Sequence, residues 1–196
     1  MNTTCIPSRK ELDVMGQLTK ESKQAKSQLS GWNDWQWQMR NRISTVKELR
    51  KYLNLSAREQ SQISAAGEKY RWAVTPYYAS LMDPDNPNCP LRRQQIPSTE
   101  ELEDQHGMPD PLSERDQSPV DSIVHVYPDR VAFKITNICP TYCRYCFREY
   151  FVGNENEHHT RKKIEQGLQY IARTPAIRDV LITGGDPFLF SDQRLE

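Results

Sequence analysis

No apolar run in this sequence approaches the roughly 20 residues needed to cross a bilayer, so no membrane role is expected. The N-terminal stretch Met1-Asn-Thr-Thr-Cys-Ile-Pro lacks the basic and apolar regions of an export signal. Charge of one sign is missing too. The 26 Lys and Arg balance 26 Asp and Glu, which gives no electrostatic case for nucleic acid or an anionic membrane as partner. Apolar residues make up only 36% of the 196, which is short for a large self-contained core. There is no internal repeat and no low-complexity tract. Five cysteines without an export signal fit a reducing cytoplasm better than a disulfide framework.

What the chain does have is a cluster of thiols. Cys139-Pro-Thr-Tyr-Cys143-Arg-Tyr-Cys146 places three cysteines at C-x3-C-x2-C spacing, directly after the β-rich run 130–138. Thiolates are soft ligands that suit iron–sulfur clusters, zinc or copper(I). Ordinary cubane clusters use four cysteines, and structural zinc is also four-coordinate. A cubane held by three thiolates would leave one iron open to a small molecule, which is a catalytic arrangement. Zinc completed by His158 or His159, or a set of packed free thiols, are the alternatives that the spacing leaves open.

Three segments follow from patterning. Residues 1–31 are polar, with Leu12, Met15 and Leu18 as a thin apolar stripe, and are expected to be weakly structured; Cys5 reads as a bystander. Residues 32–122 read as a helical module with a proline-rich linker. There Trp35, Met39, Ile43, Val46, Leu49 and Leu53 recur at helical steps, and the tryptophans read as core. Thr45-x-x-Glu48, Ser56-x-x-Glu59 and Ser98-x-x-Glu101 look like capping boxes, Thr75-Pro76 like a helix start, and Gly107 like a C-cap. Cys89 reads as a loop residue. From residue 123 onward the chain looks α/β: a strand over 130–138, a helix carrying Ile164, Leu168 and Ile171 that Thr174-Pro175 ends, and a strand over 179–183. The turn Gly184-Gly185-Asp186-Pro187 follows, and Asp192 could open another helix. Strand–helix–strand implies a parallel crossover with both special loops at the strands' C-terminal ends, where α/β barrels place their chemistry.

The cysteine spacing resembles the signature of the radical S-adenosylmethionine (SAM) enzymes. Trp32-Asn-Asp-Trp-Gln-Trp37, Thr75-Pro-Tyr-Tyr78, Tyr127-Pro-Asp-Arg130, the cysteine loop with Arg148, and Asp179–Asp186 together resemble the N-terminal half of the lysine 2,3-aminomutase family. The resemblance implies a helical module followed by the first βαβ unit of a truncated partial (β/α) barrel. It also implies a [4Fe–4S] cluster on Cys139, Cys143 and Cys146, with the open iron binding SAM. Tyr145 would pack near the cluster and adenine, and Thr183, Gly184, Gly185 and Asp186 would receive the methionine amino group. Arg130 would bind the phosphate of pyridoxal 5′-phosphate (PLP), and Arg148 the substrate α-carboxylate.

The implied reaction moves an amino group from C2 to C3 of lysine or a related amino acid. A relative that makes β-lysine for a translation factor is a second reading; a non-catalytic zinc or interaction module is a third. Val126 stands where the family commonly has a second phosphate-binding arginine. Glu149 and Tyr150 replace basic residues of typical lysine enzymes. The family's PLP-anchoring lysine and side-chain-selecting acids have no counterpart here, so no catalytic residue is assigned. The chain alone is expected to be inactive without a C-terminal half or complementary chain; a homo-oligomer stays open.

Overall fold

A computed structural model describes residues 31–104, 106–157 and 160–196. The polar stripe of Leu12, Met15 and Leu18, Cys5, and the His158–His159 pair lie outside the described residues.

Short helices build the first layer: α1 Trp35–Arg40, α2 Val46–Leu49, α3 Ala57–Lys69, α4 Pro76–Ala79, α5 Pro90–Arg93 and α6 Glu100–Glu103. Their starts are chemically marked. Thr45 caps α2 and Thr75 caps α4. At α3 the capping box is complete: the Ser56 hydroxyl accepts from the Glu59 N–H, and the Glu59 carboxylate accepts from the Ser56 N–H at 2.8 Å. Ile43, Leu49, Leu53, Ile63, Trp72, Val74, Ala79, Met82 and Ile96 close into one core. Four expectations need correction. Trp35 is 50% exposed; its helix instead buries Gln38, whose amide donates to Trp32 O and accepts from Tyr77 N–H. Cys89 is not a loop bystander: it is buried in this core, and its sulfur accepts from Asp83 N–H. At α6, Thr99 is the N-cap and makes no side-chain bond, so only the Glu101 half of the expected box forms. Asp104, not Gly107, is the C-cap, because α6 stops at Glu103.

The second layer is a sheet in the order β1-β2-β3, from β1 Ile123–Tyr127, β2 Arg130–Thr136 and β3 Asp179–Gly184. β1 pairs with β2 antiparallel, across the tight connection at Pro128-Asp129. The sequence reading assigned no strand to 123–127, and it ran β2 on to Ile138. β2 and β3 pair in parallel, in the register Lys134↔Thr183, with helix α7 Arg161–Arg173 as the crossover. Thr160 caps α7 and Thr174 ends it. The chain closes on α8 Asp192–Leu195. The architecture is mixed α/β with a small sheet, and its one parallel unit carries the site.

Alternation on β2 sorts its two faces. Val131, Phe133 and Ile135 pack beneath Ile164 and Ile171 of α7. Arg130, Ala132, Lys134 and Thr136 point the other way. Gly167 lets α7 sit close, since a Cβ there would collide with Ser122 Oγ and come within 2.6 Å of Phe133 Cε2.

Gly167→Ala should therefore destabilise the fold by about 1–3 kcal/mol, although alanine is the better helix former; urea denaturation reads this directly. The Ser56 hydroxyl holds the Glu59 carboxyl well below the usual range, at about 2, with help from Arg92. A depressed carboxylate pKa contributes stability that is present above the ordinary value near 4.5 and is lost as pH falls toward about 2. In acid titrations followed by circular dichroism, Glu59→Gln should flatten that part of the unfolding curve.

Candidate cofactor site

Residues 137–154, the segment that follows β2, hold all three clustered cysteines. The segment makes turns of its own, such as Gly153 N–H to Asn137 O at 2.7 Å, and the helical layer pins it from outside. Arg42 Nη1 donates to Cys139 O at 2.7 Å, Tyr142 N–H to Ala73 O at 2.9 Å, and Arg144 N–H to Gln94 O at 2.8 Å. Arg144 drives its side chain back into the helical layer, pairing with Glu101, donating to Arg71 O at 3.0 Å and reaching Glu149 at 3.0 Å. Tyr145 is 69% exposed, and the neighbouring Cys143 raises its phenol above the ordinary value.

The thiols share one environment. Burial pushes Cys139 up to about 12, and the charges of Cys146, Asp186 and Cys143 push the same way. Burial also raises Cys146. Gln95, itself 2% exposed, donates its amide to Cys143 Sγ at 3.6 Å. Among the described residues no three His, Cys, Asp or Glu side chains converge tightly enough to hold a single ion.

The Gly-Gly-Asp turn lies against this loop. Gly185 N–H donates to Thr136 O at 2.6 Å and Asp186 N–H to Ile138 O at 2.7 Å. Asp186 N–H also lies beside the Cys139 thiol. Gly184 has φ +122°, and a Cβ on it would strike Thr136 O; a Cβ on Gly185 would strike Ile138 O. Both glycines are required by backbone contact, which brings the turn hard against the end of β2 and the start of the cysteine loop. The donor set and the turn fit a three-thiolate cluster with a small ligand beside it.

Arg148 is held side-on. Its Nε and Nη2 donate to both oxygens of Glu114 at 2.7–3.0 Å, and Nη1 donates to Thr183 Oγ1 at 2.8 Å. The pair is deeply buried, with side chains 11% and 5% exposed. Tyr150 OH donates to Glu114 at 3.0 Å; burial first, then that carboxylate, raises its phenol. Sequence reasoning missed Glu114 because it sits in the proline-rich connection with no local motif.

Arg130 is not part of this group. It lies at the opposite end of β2 from the cysteines, about 20 Å away at ~3.3 Å per strand residue. There it is bound by Asp129 at 3.0 Å and rests over Tyr127.

The radical SAM superfamily model matches residues 133–196, which contain the cysteine loop and the glycine turn. L-lysine 2,3-aminomutase of Clostridium subterminale is 46% identical over 166 residues, covering 84% of this chain and 40% of that protein. The Bacillus subtilis (strain 168) L-lysine 2,3-aminomutase is 45% identical over 84% of this chain. The chain belongs to the lysine 2,3-aminomutase family. The family also includes a glutamate 2,3-aminomutase of Clostridioides difficile (strain 630), 38% identical over 94% of this chain and 45% of its own length. The chain thus spans about two fifths of the curated relatives it matches. No helix among the described residues is long and apolar enough to cross a membrane.

Glu114→Ala would strand a buried guanidinium and should cost roughly 3–5 kcal/mol, whereas Glu114→Gln, which keeps one acceptor, should cost less. Guanidinium denaturation of the two variants measures the difference.

Proposed function

We propose that this chain provides the cluster- and SAM-binding part of a radical SAM aminomutase that moves an amino group from C2 to C3 of an amino acid. One observation carries the reading. A loop with three cysteines lies against a side-chain-intolerant glycine turn, at the C-terminal ends of two parallel strands, within a chain of this family.

In this reading Cys139, Cys143 and Cys146 hold a [4Fe–4S] cluster. When bound, cluster and SAM supply a carbon radical and PLP carries the amino group; the protein positions and shields them. Thr183, Gly184, Gly185 and Asp186 cradle the methionine amino group, with Asp186 adding negative charge. Tyr145, exposed beside Cys143, is free to pack on the adenine. Arg148, fixed by Glu114 and Thr183, orients the substrate carboxylate next to the cluster. Arg130 is the candidate for the PLP phosphate, although it must first exchange Asp129 for the ligand and has Val126 where the family offers a second arginine. Lysine and glutamate are the substrates named for the relatives; for this chain the class is an α-amino acid.

Turnover needs more protein than the described sheet provides. Leu181 on β3 is 66% exposed and Ile182 45%, whereas parallel strands are ordinarily covered on both faces. We place further barrel strands against the free edge of β3, from a C-terminal portion or a second chain, and expect the 196 residues alone not to isomerise amino acids.

Anaerobic reconstitution followed by EPR tests the assignment. The reduced protein should give a [4Fe–4S]⁺ signal whose g-values shift on adding SAM. Cys143→Ala should abolish the signal; Asp186→Ala, which leaves both glycine contacts intact, should keep iron and weaken the SAM response. A colourless protein carrying one zinc would contradict the proposal.

A further inference from the structure

The cofactor-facing side of β2 carries a lysine for which the chemistry above has no use. Lys134 is 4% exposed and stands on the same face as Arg130 and Thr136, away from α7. Its register partner on β3 is Thr183, the residue that accepts from Arg148. The ammonium rests 5.2 Å from the centre of the Phe151 ring, and no described residue forms an ion pair or hydrogen bond with it. A lysine this buried is uncommon without an ion-pair partner. Burial accordingly pulls its pKa below the ordinary value.

The carboxylates around Lys134 are already committed. Glu114 gives both oxygens to Arg148 and one also to Tyr150. Glu157 pairs with Arg115 at 3.1 Å. Asp110 accepts from the Glu114 and Arg115 backbone N–H groups at 3.0 Å. Arg148 and Glu114 answer one another, and Lys134 has no ion-pair partner of its own among the described residues. Arg148 also has capacity left. Of its five N–H donors, Glu114 engages Nε and one on Nη2, and Thr183 takes one on Nη1. One donor on each terminal nitrogen remains, so the guanidinium can still donate to a further carboxylate.

We infer that Lys134 and the free end of Arg148 form one carboxylate-binding pocket, in which Lys134 supplies the neutralising charge for an amino-acid ligand. The inference rests on the reading of this site as an amino-acid isomerase site. It adds to Arg148 a second cation, one that interrupts the apolar run 131–135 of β2.

Equilibrium dialysis with radiolabelled lysine, glutamate and lysinamide, on cluster-reconstituted protein, tests it. Lys134→Met should weaken both amino acids by at least about tenfold, the worth of one charge-assisted hydrogen bond. Lysinamide, which lacks the carboxylate, should be unaffected, and Lys134→Arg should recover most of the loss. A loss for both amino acids assigns the α-carboxylate; a loss confined to glutamate assigns its side-chain carboxylate. Equal binding by wild type and Lys134→Met overturns the inference, as does wild-type binding that ignores the carboxylate or is absent. EPR of the same samples separates the failures. If the SAM-perturbed signal persists in wild type and variant, a negative result falls on Lys134 alone; if wild type shows no such signal, the cluster assignment has failed as well.

Discussion

The guanidinium of Arg144 joins the two halves of this protein. Its neighbours in sequence, Cys143 and Tyr145, belong to the cofactor loop, yet its side chain is 6% exposed and lies among Glu101, Arg71 O and Glu149. A planar cation with donors on several edges can bridge a helix, a backbone carbonyl and its own loop at once, which a lysine could not do. Buried ion pairs gain little net stability, because desolvation offsets attraction. Their value here is positional. With Arg144 anchored in the helical layer, the loop that carries Cys143 and Cys146 is held at a fixed place against that layer.

The helical module thus has a task that its own core does not explain. Arg42, Ala73, Gln94 and Gln95 each contact the cysteine segment through the backbone or a sulfur. These contacts add to the loop's own backbone bonds and fix the cysteine segment against the helices. A second buried pair, Arg148 with Glu114, repeats the device on the other side of the loop. There the proline-rich connection provides the carboxylate, so a segment that looks like a linker is part of the site wall.

Much of this could be read from the sequence. The cysteine spacing, the Gly-Gly-Asp turn and the parallel crossover needed only local rules, and cap chemistry marked the start of α2, α3 and α4. Long-range pairings were invisible. Glu114 meets Arg148 across 34 residues, and Gln38 is buried because Trp32 O and Tyr77 N–H satisfy its amide, not because it is apolar. β1 escaped notice because His125 and the turn after Tyr127 blur its alternation, and its partner is specified by β2 rather than by its own residues. Trp35 followed the helical period of buried neighbours, yet a helix of 6 residues has too little length to bury every position on one face.

The central claim is that three thiolates hold a cluster whose remaining iron is open to SAM. Mössbauer spectroscopy of the ⁵⁷Fe-reconstituted protein, with and without SAM, tests it most directly. The account predicts that SAM changes the parameters of about a quarter of the iron, one site of the cubane, and leaves the rest unchanged. A spectrum that SAM does not alter, or that changes uniformly across all the iron, would contradict it.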